Sequence, residues 1–61
     1  MDRQMLSDLV QDIASDIGID SCVAVEVSYM LYPRFESADP YDAETTTEIT
    51  IAVRDVIREY L

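Results

Sequence analysis

Cys22 is the only cysteine in this 61-residue chain, and histidine is absent. A chain of that length buries only about 60% of the surface it exposes when unfolded, so it sits near the lower limit for folding alone. Domains this small usually need a staple: disulfides, a structural metal or another chain. One cysteine forms no disulfide within the chain, and without histidine it forms no structural zinc site. Of these staples only association remains for this single domain over residues 1–61. Apolar residues make up 49% of the chain, which is normal for a globular domain and too many for a disordered tail.

Residues 4–17 have the pattern of an amphipathic helix. Met5, Leu6, Leu9, Val10, Ile13, Ala14 and Ile17 recur at helical spacing and form one broad apolar stripe. Gly18, the only glycine, falls just past the stripe, where a helix end favours positive φ. Ile19 can then fold back onto the last turn, as the Schellman geometry asks.

Residues 22–32 have the pattern of a strand. Val23, Val25, Val27, Tyr29 and Leu31 alternate onto one face. Pro33 cannot donate to a ladder and should end it. Residues 33–44, with two prolines and four acids, read as an acidic loop. The last segment carries two signals. Ile49, Ala52, Val53, Val56, Ile57, Tyr60 and Leu61 fit a helix, with Thr45 and Glu48 in capping-box spacing. The β-branched run over 45–53 alternates like a strand. The seven-residue match favours a helix over about 46–60. The expected class is therefore α+β: helix, strand, acidic loop, helix. The alternative is a helix plus a two-stranded hairpin with 45–53 as the second strand. In the favoured arrangement the single strand needs a neighbour for its backbone groups, which predicts a homodimer paired strand to strand.

Charge is the other strong constraint. Thirteen acids stand against four bases, all arginine, for a formal net charge of −9. A field of that sign repels nucleic acid and anionic membranes and attracts basic surfaces. Asp8, Asp12 and Asp16 stand four apart, and Asp20 continues the count beyond Gly18. On a helix this makes a slanting row with one carboxylate per ~6 Å of rise. Like charges at that spacing cost a helix a few tenths of a kcal/mol per pair, roughly 0.2–0.5. In the loop, Glu36, Asp39, Asp42 and Glu44 surround Tyr41, with Phe35 and Tyr32 nearby. Aromatics ringed by carboxylates suit a basic groove, because arginine can pair with the acid and stack on the ring.

Enzyme chemistry has little to stand on. Cys22 has no histidine to activate it and reads as a small buried residue. A single glycine cannot build a phosphate-cradling loop. The loop acids lack EF-hand spacing and its turn glycine, so no metal or cofactor is expected. No apolar run approaches the roughly 20 residues that span a bilayer. The start, Met1-Asp2-Arg3, is acid-rich downstream and fits neither a signal nor a transit peptide, so a cytoplasmic location is expected.

In size and acidity the chain is similar to small virus-encoded inhibitors that occupy the nucleic-acid site of host defence or repair proteins. The resemblance implies a non-enzymatic inhibitor, in the host cytoplasm, that binds the basic surface of a nucleic-acid-binding protein. The candidate binding residues are Asp8, Asp12, Asp16, Asp20, Phe35, Glu36, Asp39, Tyr41, Asp42 and Glu44. The alternative is a small structural or adaptor subunit that folds as a homodimer, its acids serving solubility or a high-salt cytoplasm.

Overall fold

Asp2 starts the first helix of the computed structural model, which describes residues 1–60. Its carboxylate accepts a hydrogen bond from the Met5 N–H at 2.8 Å and so satisfies one donor that the helix leaves open. Helix α1 runs from Arg3 to Ile17, close to the predicted 4–17. Gly18 ends it at φ 87°. The Ile19 N–H donates to the Ala14 carbonyl at 2.9 Å, and the Gly18 N–H donates to Ser15 at 3.2 Å. That pair of bonds is the Schellman motif. Ile19 folds back against the core as the sequence predicts.

The predicted strand over 22–32 is a helix, α2, from Ser21 to Phe35. No strand occurs among the described residues, so the α+β class and its hairpin alternative are both wrong. The fold is a three-helix bundle. The physical reason lies in the backbone. A lone strand leaves its N–H and C=O groups without partners, whereas a helix satisfies them internally. The same segment also offers a helical stripe, Ala24, Val27, Ser28, Leu31 and Phe35, all buried. Its β-branched residues lower helix propensity by only tenths of a kcal/mol each, roughly 0.5, and packing overrides that. Pro33 sits in the last turn, two residues before the helix ends. There it removes an N–H but need not break the helix earlier. With the strand gone, the argument for strand-to-strand pairing of two copies goes too.

Residues 36–42 form the connection, shorter than the predicted loop over 33–44. Asp39-Pro40-Tyr41-Asp42 make a turn closed by the Asp42 N–H on the Asp39 carbonyl at 3.2 Å. Proline at the second position and aspartate at the first suit such a turn. Helix α3 spans Ala43–Tyr60. Its cap is Asp42, whose carboxylate accepts from the Glu44 N–H at 3.0 Å, and not the predicted box of Thr45 and Glu48. Thr45 lies inside the helix and is buried. Leu61, the last position of the predicted stripe, lies outside the described residues, as does the side chain of Tyr60.

The core is shared evenly. Leu6, Val10 and Ala14 come from α1; Ala24, Val27, Leu31 and Phe35 from α2; Ile49, Ala52 and Val53 from α3. Helices α1 and α2 lie closest together and α2 and α3 touch least. Small side chains at Ala14, Ala24 and Ser28 leave room for the close pair. The Ser28 hydroxyl is buried but donates to the Val25 carbonyl at 2.6 Å. The radius of gyration is 10.3 Å, against about 10.5 Å for a compact domain of this length. The accessible surface is 4228 Å², near the ~4000 Å² expected of a monomer of this mass. The ten described core residues are thus buried between helices of the same chain.

Candidate protein-binding surface

On α1 the buried residues Leu6, Val10 and Ala14 define one side of the helix. At 100° per residue, Asp8, Asp12 and Asp16 fall on the opposite side. All three are exposed, and Gln4 Nε2 donates to Asp8 Oδ1 at 3.0 Å. The row therefore exists as the sequence predicts, on the solvent face of a helix. Asp20 lies outside that helix. It is the N-terminal cap residue of α2, exposed and without a side-chain capping bond.

The loop acids divide by role. Asp39 accepts from the Tyr41 N–H at 3.0 Å, and Asp42 caps α3, so both carboxylates hold the turn. Both are nevertheless exposed, as are Glu36 and Glu44. Tyr41 is 87% exposed at the tip of this turn. Phe35 is not available to a partner: it is 3% exposed and belongs to the core. Tyr32 packs against the core as well, with the Arg3 guanidinium 5.3 Å from its ring centre. Arg34 sits over Phe35 at the same distance.

A second set of acids escaped the sequence reading. Glu44, Glu48, Asp55 and Glu59 are all exposed on α3. Helical geometry places them within about 60° of arc. Their spacings of four, seven and four carry a helical signal, interleaved with the apolar stripe of the same segment. On the other flank of α3, Arg54 and Arg58 face α1 across an open groove. The groove has a volume of about 470 Å³ and is lined also by Asp16, Ile17 and Ile57. The two arginines thus border the row at its Asp16 end.

Cys22 is exposed in the first turn of α2, contrary to its expected burial. The strand reading placed it at the start of an apolar strand; the helix turns it outward. Among the described residues, no three histidine, cysteine or acidic side chains are placed to hold a metal ion. Among the same residues, no helix is long and apolar enough to cross a membrane. The arrangement offers acceptors, negative charge and the projecting ring of Tyr41, which can bind a basic surface. Compared with known proteins, the chain matches no family model, no curated protein and no solved structure.

Proposed function

We propose that this chain is a non-enzymatic acidic binding protein that inhibits a nucleic-acid-binding protein by standing in for its phosphates. The observation that carries the reading is the exposed row Asp8, Asp12 and Asp16 on the outer face of α1, in a chain of net charge −9. One carboxylate per ~6 Å of helix axis corresponds to about one charge for every two phosphates of a single strand, which carries one per 3.4 Å. The row costs the helix stability, so solubility alone does not explain its regularity. Tyr41, projecting among Glu36, Asp39, Asp42 and Glu44, would supply an anchor that arginine can stack on. A cytoplasmic setting fits this role, since nucleic-acid-binding targets are met there.

The test is a pull-down from a nucleic-acid-rich lysate at low salt, followed by competition with duplex DNA. A basic protein should be captured, released by DNA, and released by raising salt. The triple change Asp8→Asn, Asp12→Asn and Asp16→Asn should lose the capture while keeping the helical spectrum. Capture of no basic protein, or capture unaffected by the triple change, sinks the reading.

A further inference from the structure

The charge of this molecule is unevenly placed. Helix α2 carries one acid, Glu26, and one base, Arg34, so the whole net charge of −9 lies outside it. Its outward side also gathers exposed apolar groups. Val23 is 39% exposed, Tyr29 62% and Met30 54%. Helices of water-soluble bundles normally turn a charged face outward.

The order of residues on that face is specific. Cys22, Glu26, Met30 and Arg34 stand four apart and are all exposed. Residues at that spacing form a single ridge along a helix, the kind that packs beside the matching ridge of a second helix. Met30 lies midway, four residues from each charge. Turning a second α2 antiparallel about an axis through Met30 places each Glu26 opposite the other copy's Arg34. Met30 meets Met30, and Tyr29 and Val23 flank the seam. The Arg34 guanidinium remains exposed over the Phe35 ring, and its edge can still donate to a carboxylate.

We infer that the outer ridge of α2 is a self-association surface, taking a second copy of this chain antiparallel about a two-fold axis at Met30. It does not depend on the inhibitory role proposed above. The seam is about 22 Å long and about 10 Å wide, well short of the ~800 Å² per partner that stable complexes bury. Association is therefore weak, with a dissociation constant in the high-micromolar to millimolar range, roughly 10⁻⁴–10⁻³ M. Each copy carries a charge of −9, so the bodies repel at low salt. Screening should favour the pair, whereas it should weaken binding to a basic target.

Sedimentation equilibrium under reducing conditions tests this, from about 0.05 to 1 mM protein, in about 0.01 M and about 0.3 M salt. The average mass should rise from 6.9 kDa towards twice that with concentration, and more so at the higher salt. Glu26→Arg alone and Arg34→Glu alone should each weaken the pair by about tenfold or more. The double swap should restore it. Met30→Glu should leave a monomer. All these positions are exposed, and circular dichroism confirms that each variant keeps its helices. A mass of 6.9 kDa throughout, or a dimer that the double swap fails to restore, overturns the inference. So does ready disulfide trapping through Cys22: the antiparallel seam holds the two Cys22 residues about 24 Å apart, and only a parallel pair would bring them together.

Discussion

Gly18 is the one described residue with a positive φ. Its φ of 87° lies in the left-handed region, yet a Cβ added there would meet nothing within 4 Å. Substitution therefore meets backbone strain without a clash. Gly18→Ala should destabilise the bundle by about 1 kcal/mol, read as a lower urea midpoint at unchanged slope. Gly18→Asn should cost less, because asparagine tolerates this region better. Loss of several times that amount would mean that the turn does more than end a helix.

At the scale of the helices, α1 was legible because three signals agreed: the apolar stripe, the terminal glycine and Ile19 beyond it. Helix α3 was legible from its stripe, although Asp42, three residues before Thr45, supplies the cap. Helix α2 was misread because two periods coexist in one segment. Valines at 23, 25 and 27 alternate, while Ala24, Val27, Leu31 and Phe35 recur as a helix requires. Ser28, a buried polar member of that stripe, concealed the helical pattern, and its hydroxyl is accommodated by a local bond that only a helix provides. The acid row was legible because i+4 spacing needs nothing but a helix. The fate of Phe35 was not, since its burial depends on how α2 packs. The row also makes a prediction. Asp12 stands between Asp8 and Asp16, so Asp12→Asn removes two like-charge pairs and should stabilise the protein by about 0.4–1 kcal/mol. Thermal or urea unfolding at low salt measures it, and a destabilised variant would show that the carboxylate has a structural partner.

For the whole molecule, thirteen carboxylates on a body with a radius of gyration of 10.3 Å repel one another. The body measures 29 × 18 × 18 Å, so at about 0.15 M salt, with a screening length of about 8 Å, repulsion between carboxylates on different sides is largely removed. The melting temperature should therefore rise by several degrees, roughly 4–8 °C per kcal/mol gained, between about 0.01 M and about 0.15 M salt. Scanning calorimetry checks it. A protein that stayed unfolded until molar salt would point to halophilic adaptation as the origin of the acids.

The even division of the core among three helices has a further effect: the molecule cannot be pared down. The helix that carries the acid row owns only Leu6, Val10 and Ala14 of that core. A synthetic fragment of residues 1–20 would have nothing to cover them. Isolated helices of about 12–15 residues are marginal in water, and this one bears a row of mutually repelling charges. Such a fragment should give a coil spectrum and bind no basic target, though it holds every carboxylate of the row. Helix α3 would then be indispensable to an acid row it does not carry, and truncations made to map that row would report the loss of the scaffold instead.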